Sequence, residues 1–357
     1  GYRVGCYTSP HLLHYNERVR IGKQQVSDAE LCASFAQIEQ VRGDTPLTYF
    51  EFGTLAAMQY FIEHQVEVAI LEVGLGGRLD AVNVFDADCA VVTCVDIDHT
   101  DYLGGTREQI AFEKAGIFRK SHVAICADSD VPQAIRTQSQ QVGADLWCIG
   151  SEFSFTTHHG QWNYRSKSGS RSSLPYPALR GAFQLHNASA ALAALDALKE
   201  RLPVSMEAVR CGLNEVQLAG RFQFVPGKPT LILDVAHNPH AARSLAQNLA
   251  SLPPCPHTYA VFAMLRDKDM AGVAAALDAH IDTWLVAGID TARGATAGEL
   301  EQVLQQGRVR GEIKAFGSIA EALRYACDAA GENDRIAAFG SFYTVAEVMV
   351  SRGLRVL

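Results

Sequence analysis

Residues 230–241 read TLILDVAHNPHA, and this stretch predicts the fold of the second half of the chain. An apolar, β-branched run ends at the carboxylate of Asp234, which is typical of a buried strand that stops at a polar edge. Asn238 is a favoured N-cap residue, and Pro239 suits the first helical position because an N–H there would have no partner. The stretch therefore predicts a strand, a short loop and a helix, with His237 beside a helix N-terminus, where anions bind.

Two interpretations of this loop stay open. Asp234 could hydrogen-bond the hydroxyls of a ribose while phosphates lie at the helix N-terminus. The alternative is a capped helix that binds nothing. In both cases the loop follows the carboxyl end of a strand, which is where open α/β sheets place their sites.

The same alternation of strand and helix patterns continues to the end of the chain. The breaker cluster PGKP at residues 226–229 predicts a domain boundary before it. Strands are predicted at 230–234, 259–264, 284–289 and 335–339, and helices at 239–252, 270–280, 296–306, 319–330 and 344–352. This order predicts a doubly wound, Rossmann-like α/β domain over residues 225–357, preceded by a first domain over residues 1–224.

The first half also alternates, with one exception. Near-continuous apolar runs at 66–73, 89–97 and 122–127 predict strands that are buried on both faces of a parallel sheet. Helices are predicted at 50–64, 107–119 and 187–201, the last with one apolar face formed by Ala188, Ala191, Leu192, Leu195 and Leu198. Residues 150–177 alternate serine, glycine and aromatic residues, which predicts a small antiparallel hairpin and loop.

Composition excludes several classes of protein. Hydrophobic residues make up 48% and charged residues 20% of 357, which is ordinary for a soluble globular protein. The net charge is −8 and no Lys/Arg-rich block occurs, so we expect no nucleic-acid partner. No apolar stretch is long enough for a membrane span. Nine scattered cysteines without a C-x-x-C pair predict buried free thiols in a reducing compartment.

Glu72 follows a predicted strand and precedes Gly74, Gly76 and Gly77. Glycines at such a position let the backbone approach a ligand closely. A dinucleotide-binding fingerprint is excluded, because it needs a glycine where this sequence has Leu79. We favour a metal-directed carboxylate over a surface acid on a glycine-rich turn.

His99 also follows a predicted strand and has Asp96, Asp98 and Asp101 as neighbours, a set that suits a divalent cation. The alternative is a hydrogen-bonded core histidine. Lys114 lies in a helical pattern, and the pattern alone predicts a solvated helix face. The segments 266–269 and 340–342 are further strand ends with polar groups, and each is a weak signal by itself.

Several segments, in the same order along the chain, resemble the folylpolyglutamate synthase/dihydrofolate synthase family of the Mur ligase superfamily. They are YTSPHL (7–12), NERVR (16–20), LTYFEFGTLAA (47–57), LEVGLGGRLDAVN (71–83), DHTDYLG (98–104), EKAGIFR (113–119), GRFQ (220–223), DVAHNPHA (234–241), MLRDKD (264–269), RGATAGEL (293–300) and GSFYTVAEVM (340–349). The resemblance implies an N-terminal Mur ligase central domain of the P-loop ATPase type and a C-terminal Rossmann-like domain.

The resemblance also implies an activity. Members of the family join L-glutamate to a folate-type carboxylate with ATP and one or two Mg²⁺ ions, through an acyl phosphate that the glutamate amine attacks. The LTYFEFGTL segment is similar to the bacterial bifunctional form, which acts on dihydropteroate and on tetrahydrofolates. A cytoplasmic monomer is expected, whose two domains close on ATP and exclude water from the acyl phosphate.

The family's functional residues correspond to positions in this sequence. The implied metal ligands are Ser9, Glu72 and His99, and the implied catalytic residues are Lys114 (carbamylated in the family), Arg221 and His237. The implied nucleotide contacts are Asn187 for adenine, Arg221 for the phosphates, and Asp234, Val235, Ala236 and His237. The implied pterin-binding walls are Thr48, Tyr49, Phe50 and Glu51 on one side and Leu79, Asp80 and Ala81 on the other, and Lys268 and Ser341 correspond to positions for the incoming amino acid.

One feature departs from the family pattern. The phosphate-binding loop of the family lies shortly before YTSPHL, and this sequence contains no G-x-x-x-x-G-K-[ST] motif. We therefore expect a chain truncated at its N-terminus, with little or no ligase turnover. Two alternatives stay open at this point: a Mur-type ligase that acts on a nucleotide-linked sugar, and a non-catalytic remnant that binds nucleotide or folate.

Overall fold

The computed structural model describes residues 1–158, 160–181 and 183–356. Contacts divide the chain into two compact units, Gly1–Tyr176 with Leu185–Leu213, and Pro177–Gln184 with Asn214–Leu357. Residues 214–224 thus group with the second unit, whereas the domain boundary predicted at 224/225 stays a prediction. Three residues lie outside the description: His159 in the predicted hairpin segment, Ala182 in the predicted first domain and Leu357 in the predicted second domain.

The first unit contains three separate sheets in its described residues. One has the order β3-β2-β1-β4, the second β5-β6-β7 and the third β10-β9-β8. Their strands are β1 (Val4–Tyr7), β2 (Val19–Ile21), β3 (Gln24–Gln25), β4 (Val68–Leu71), β5 (Cys89–Val92), β6 (Val123–Cys126), β7 (Asp145–Cys148), β8 (Phe153–His158), β9 (Gln161–Ser166) and β10 (Gly169–Leu174). β1 and β4 are parallel, as are β5, β6 and β7, so the polar ends of these strands point the same way within each sheet.

Helices of the first half surround these sheets. Their bounds in the described residues are α1 (Asp28–Arg42), α2 (Tyr49–Glu63), α3 (Thr100–Leu103), α4 (Arg107–Ala115), α5 (Gln133–Val142), α6 (Gln184–Ala197) and α7 (Met206–Glu215). The predicted helices at 50–64 and 107–119 are confirmed as α2 and α4, although α4 ends earlier because Gly116 caps it.

One burial prediction for the first unit is wrong and another is confirmed in part. β4 is not buried on both faces, since Ala69 is exposed and Ile70 is 56% exposed. β4 is the last strand of its sheet and is hydrogen-bonded only to β1 within the described residues, so it lacks the cover that a central strand has.

The predicted apolar face of α6 is confirmed in part. Leu192 is buried, and half-buried Ala188 and Leu195 pack against the same core. Ala191 is exposed, however, and Asp196, which was not predicted to be buried, is 5% exposed.

The antiparallel segment predicted at 150–177 is confirmed and forms the three strands β8, β9 and β10. Its inner face packs Trp162, Tyr164 and Leu174 against Leu192 and Ala193 of α6. This small sheet therefore covers one side of α6 and carries no predicted site residue.

The second unit is the predicted doubly wound α/β domain, with the sheet order β11-β12-β16-β13-β14-β15 in the described residues. Its strands are β11 (Gln223–Val225), β12 (Thr230–Leu233), β13 (Thr258–Phe262), β14 (Thr283–Ala287), β15 (Glu312–Phe316) and β16 (Arg335–Phe339). Its helices are α8 (Pro239–Ala250), α9 (Met270–Leu277), α10 (Ala297–Gly307), α11 (Ile319–Ala329) and α12 (Phe342–Ser351). All strand pairs are parallel except β11 with β12, so the loops after β12, β13, β14 and β16 meet at one edge.

The strands and helices that the sequence predicted in the second unit are confirmed, with bounds that differ by a few residues. Asn238 accepts a hydrogen bond from Ala241 N and Pro239 opens α8, as the sequence predicted. Two strands were missed, β11 and β15, and both lie at the edges of the sheet. β15 reads EIKAF and contains the charged residues Glu312 and Lys314, because an edge strand does not need a continuous apolar run.

The nine cysteines, all within the described residues, are free, as predicted. Only Cys126 and Cys148 are buried, whereas Cys32, Cys94 and Cys211 are exposed. The prediction of buried thiols is therefore wrong for most of them.

Candidate functional site

Ser9 and Glu72 lie just beyond the carboxyl ends of the neighbouring parallel strands β1 and β4. The Ser9 N–H donates to Glu72 Oε2 at 2.9 Å, and the Glu72 N–H donates to the carbonyl of Tyr7 at 2.9 Å. The structure therefore brings together two of the three predicted metal ligands. Hydroxyl and carboxylate oxygens are hard ligands of the kind that Mg²⁺ prefers, so this pair fits the predicted metal.

His99 lies directly before the short helix α3 and has a left-handed backbone, with φ 52° and ψ 42°. The Nε2 atom of its ring is 4.0 Å from Asp98 Oδ2, and its backbone N–H donates to Asp98 Oδ1. The predicted cation cluster of Asp96, Asp98, His99 and Asp101 is wrong: the described residues contain no group of three or more His, Cys, Asp or Glu side chains placed to hold a metal ion. The reason is local, because a turn entering a helix sends successive side chains in different directions.

Gly77 packs the glycine-rich loop against the end of α4, which carries Lys114. A Cβ atom at Gly77 would lie 2.8 Å from the carbonyl oxygen of Glu113 and 2.9 Å from that of Lys114. The Arg78 N–H donates to the same Glu113 carbonyl, and the two side chains form an ion pair at 2.9 Å. Gly77 thus permits close packing against the end of α4, and the contact fixes the backbone of half-buried Lys114. The predicted approach of this loop to a ligand stays a prediction.

The first predicted pterin wall begins α2. Thr48 and Glu51 form its capping box, in which each side chain accepts the backbone N–H of the other. Hydrogen bonding of its carboxylate by the Thr48 backbone N–H, and then by the Thr48 side chain, lowers the pKa of Glu51. Tyr49 is 65% exposed. The Phe50 ring packs against Gly74 so closely that a Cβ atom on this glycine would lie 2.6 Å from Phe50 Cζ.

The second predicted wall meets the same glycine through Asp80. One oxygen of its carboxylate accepts the N–H groups of Gly74 and Leu75, at 3.0 and 2.9 Å, and the other accepts that of Val82 at 2.9 Å. Leu79, next in the chain, is 80% exposed. The two predicted walls therefore converge on the glycine-rich loop, with Leu79 and Tyr49 presenting apolar surface to solvent.

The structure places two further predicted site residues of the first unit in helical turns. Ala81 is half-buried and opens a 3-10 turn, Ala81–Val84. Asn187 is exposed in the first turn of α6.

In the second unit, Asp234 ties two loops together. Its Oδ1 accepts the Ala236 N–H at 2.8 Å, and its Oδ2 accepts the Phe222 N–H at 2.9 Å. Burial raises the pKa of Asp234 to about 6, although the two N–H groups and nearby Arg221 act in the opposite direction. Both carboxylate oxygens thus already accept backbone hydrogen bonds, which gives Asp234 a structural task in addition to the predicted ribose contact.

The loop held by Asp234 places His237 and Arg221 close to Phe342. The Val235 N–H donates to the Gly220 carbonyl at 2.9 Å. His237 Nδ1 donates to the Val235 carbonyl at 2.9 Å, which leaves Nε2 without this proton. The Phe342 ring centroid is 6.2 Å from that of His237 and 5.3 Å from Arg221 Cζ, so the predicted phosphate residue and the predicted catalytic histidine share one aromatic neighbour.

Lys268 and Ser341 follow the neighbouring strands β13 and β16. Ser341 is 3% exposed and caps α12, where its hydroxyl accepts the Thr344 N–H at 3.0 Å. Since Thr344 Oγ1 donates to the Ala263 carbonyl at 2.7 Å, the Ser341 hydroxyl must donate to Thr344 Oγ1 in turn. The proton of this hydroxyl is thus already donated within the protein. Lys268 is half-buried in its loop.

Sequence reasoning missed three residues beside these loops: Glu17, Arg18 and Phe342. Glu17 is 5% exposed and Arg18 is 8% exposed, although charged residues are seldom buried. The only sequence signal for Glu17 and Arg18 is their place in the family segment NERVR. The only signal for Phe342 is its position next to Ser341.

Two domain families match the chain. Residues 26–195 match the family described as Mur ligase middle domain. Residues 220–342 match the family described as Mur ligase, glutamate ligase domain. These matches confirm the predicted fold class and the order of its two domains.

Similar proteins of established name cover nearly the whole chain. The dihydrofolate synthase/folylpolyglutamate synthase of Escherichia coli K12 is 46% identical over 349 residues, which are 98% of this chain and 80% of that protein. This chain belongs to the dihydrofolate synthase/folylpolyglutamate synthase family. The relative of the same name from Haemophilus influenzae is 40% identical over 97% of this chain and 82% of its own length.

Solved structures of family members agree with the fold. E. coli FolC in complex with DHPP and ADP has a TM-score of 0.93 at 45% identity, covering 99% of this chain and 82% of that one. A bifunctional folylpolyglutamate synthase/dihydrofolate synthase with Mn, AMPPNP and L-glutamate bound has a TM-score of 0.91 at 46% identity, covering 99% and 83%. These family members thus bind the class of nucleotide and metal that the sequence predicted.

Membership of this family decides one of the earlier expectations, since it disfavours the Mur-type ligase of nucleotide-linked sugars. The chain spans 80% of the length of the Escherichia coli relative. Separately, the helices in the described part of the chain all fall short of the length and apolar character that a membrane crossing requires.

Proposed function

We propose that this chain is an ATP-dependent ligase that adds L-glutamate to dihydropteroate and to the γ-carboxylate of tetrahydrofolates. The observation that carries the proposal is 46% identity to a dihydrofolate synthase/folylpolyglutamate synthase across 98% of the chain. ATP converts the acid to an acyl phosphate, the amine of glutamate attacks it, and an amide, ADP and phosphate result. The enzyme works as a cytoplasmic monomer in this proposal.

The metal is held by Ser9, Glu72 and His99 in this proposal. The hydrogen bond between Ser9 N–H and Glu72 Oε2 supports the first two, because it holds a hydroxyl-bearing residue against a carboxylate. Mg²⁺, as one or two ions, neutralises phosphate charge when bound. Carbamylated Lys114 adds a carboxylate whose position depends on the contact of its backbone with Gly77.

The nucleotide is bound by Asn187, Arg221 and the loop from Asp234 to His237. Phosphoryl transfer depends mainly on positioning and charge neutralisation, so the protein's task is to hold Arg221 against the phosphates. The ring of Phe342 supports this role because it limits where the guanidinium can lie.

The acid substrate lies against Thr48, Tyr49, Phe50, Glu51, Leu79, Asp80 and Ala81 in this proposal. The exposed side chains of Tyr49 and Leu79 support it, since apolar surface around a structured glycine loop suits a flat ring. Lys268 and Ser341 belong to the site of the incoming glutamate, with Ser341 acting through the start of α12 rather than through its hydroxyl.

The test is phosphate release from ATP and Mg²⁺ by the purified chain, with dihydropteroate and L-glutamate added separately and together. We expect release only with both, and dihydrofolate as the product detected by mass spectrometry. Activity with a nucleotide-linked sugar acid and an amino acid would support the Mur-type alternative instead. Tight binding of ATP with no turnover would support a non-catalytic remnant.

A matched pair of variants tests the metal assignment. Glu72→Gln removes a negative oxygen beyond the carboxyl end of β4, and we expect at least about 100-fold lower turnover. Glu67→Gln changes the residue that precedes the other end of β4, where the carboxylate accepts the Arg3 N–H at 2.8 Å, and turnover should stay within about twofold. Equal effects of the two changes would remove Glu72 from the metal site.

A further inference from the structure

The loop that follows Ser9 is built around a buried carboxylate with no role so far. Glu17 is 5% exposed and accepts the N–H groups of Leu12, Leu13 and His14, each at 2.7 Å. Three such hydrogen bonds fix the path of the backbone, because each would be costly to leave unmade. The loop therefore holds the preceding residue, His11, in one place.

Arg18 is the second buried charged group of this loop and is only 8% exposed. Its Cζ atom lies 5.1 Å from the centre of the Tyr15 ring and 5.6 Å from that of Tyr49, so the cation is flanked by two aromatic rings. Its Nε–H donates to His11 Nδ1 at 2.9 Å. The arginine side chain is thus held at one angle and points one donor at one ring nitrogen.

This contact determines which nitrogen of His11 carries the proton. A guanidinium donates hydrogen bonds, never accepts them, and keeps its protons in proteins. Nδ1 of His11 must therefore offer its lone pair, and the proton of the imidazole lies on Nε2. The His11 ring is partly exposed, and no described residue accepts a hydrogen bond from Nε2.

The neighbours of His11 indicate what this N–H meets. His11 is two residues from Ser9, which contacts Glu72, and its partner Arg18 lies under Tyr49 of the predicted pterin wall. The loop thus connects the proposed metal ligands with the proposed wall for the acid substrate. A group that donates and cannot accept suits a carboxylate oxygen, and it cannot take a proton from the incoming amine.

We propose that His11 binds a carboxylate oxygen of the acid substrate through Nε2–H, and that Arg18 is the positioning residue that sets this tautomer. The inference rests on the proposed ligase function, since it needs an acid substrate bound at this loop. It assigns His11 to substrate binding and excludes it as the base for glutamate.

The tautomer is tested by ¹⁵N NMR of the full chain labelled at histidine. We expect the wild-type His11 signals of an Nε2–H imidazole, and a mixture of tautomers in Arg18→Met, which keeps an apolar stem but has no donor. Addition of dihydropteroate should shift the Nε2–H signal, whereas 6-methylpterin, which has no carboxylate, should leave it in place. A proton on Nδ1 in the wild type, or no response to dihydropteroate, would overturn the proposal.

A matched pair of His11 variants tests the binding role by kinetics. The amide nitrogen of glutamine can reach the position of Nε2, whereas that of asparagine reaches only the position of Nδ1. We expect His11→Asn to raise the KM for dihydropteroate about 10- to 100-fold and His11→Gln to raise it less than about fivefold, with the KM for ATP within about twofold in both. Equal effects of the two changes on the KM for dihydropteroate would sink the assignment, and thermal unfolding of both variants shows whether the fold is kept.

The outcomes separate this inference from the proposed function. A wild-type chain without turnover, whose His11 signal still responds to dihydropteroate, would overturn the ligase activity alone. Normal turnover with a silent His11 signal would overturn this inference alone. A chain that neither binds dihydropteroate nor turns over would overturn both.

Discussion

The loops around Asp80 and Asp234 use the same device in different surroundings. Each carboxylate follows a strand and accepts backbone N–H groups, three for Asp80 and two for Asp234. Burial raises the pKa of Asp234 to about 6, whereas Asp80 belongs to a loop whose next-door Leu79 is 80% exposed. The comparison teaches that a loop can be held by three hydrogen bonds to the carboxylate of one half-buried residue or by two to that of another, and that burial of the Asp234 carboxylate makes its loop sensitive to pH near neutrality.

The largest expected effect comes from removing the carboxylate with three partners. Asp80→Ala leaves the N–H groups of Gly74, Leu75 and Val82 without their acceptor, and at about 1 kcal/mol each the free energy of unfolding should fall by about 3 kcal/mol. Urea unfolding measures this loss. Asp80→Asn keeps one acceptor oxygen and should lose less, and a loss below about 1 kcal/mol in the alanine variant would show that the loop holds itself without Asp80.

A pH series tests the Asp234 loop. Because its folded pKa of about 6 lies above the ordinary value of 3.8, the folded chain keeps a proton that the unfolded chain has lost between these values. The contribution of this group to the free energy of unfolding should therefore be greatest below about pH 4, and it should decrease as the pH rises through about 6. The difference between wild type and Asp234→Asn isolates it, and a difference that stays flat from pH 4 to 7 would contradict the raised pKa.

A third change tests how tightly the first loop is packed. Gly77→Ala places a Cβ atom 2.8–2.9 Å from two backbone carbonyl oxygens, which should cost about 1–3 kcal/mol and disturb the backbone of Lys114. Gly105→Ala is the matched control, because a Cβ there meets nothing within 4 Å. Thermal unfolding compares the two variants, and equal midpoints would show that the contact yields without strain.

The smallest expected effect concerns the second loop. Phe342→Leu removes the ring beside Arg221 and His237, and a cation–π contact of about 0.5–1 kcal/mol corresponds to a two- to fivefold rise in the KM for ATP. Phe342→Tyr keeps the ring and should restore the wild-type value. A change confined to the KM for dihydropteroate would show that Phe342 does not act through these two groups.

Much of the fold could be predicted because its signals are local. The loop Asn238–Pro239 and the apolar runs of the second unit specify caps and strands through contacts within a few residues. The burial of Asp196 on α6 was missed for the opposite reason: this carboxylate is buried because Ser166 donates to it at 2.6 Å and Arg171 forms an ion pair with it at 2.5 Å. These partners come from β9 and β10, and hydrophobic periodicity carries no information about them.

The candidate site divides in the same way. Glu72, His99, Asp234 and the glycine-rich loop were found from the sequence, because a polar residue after an apolar run marks a strand end. The pairing of His11 with Arg18 was not found, since a buried cation looks like a surface residue in a sequence.

The sequence by itself determined most strands and helices of the second unit, the cap of α8 and the family that the chain resembles, because these properties depend on neighbours in the chain and on the order of segments. Only the tertiary structure decided which atoms meet: Gly77 against Glu113, Phe222 N–H against Asp234, and Arg18 against His11. The physical reason is that hydrogen bonds and close packing act over a few ångströms, and separation along the chain does not specify distance in space.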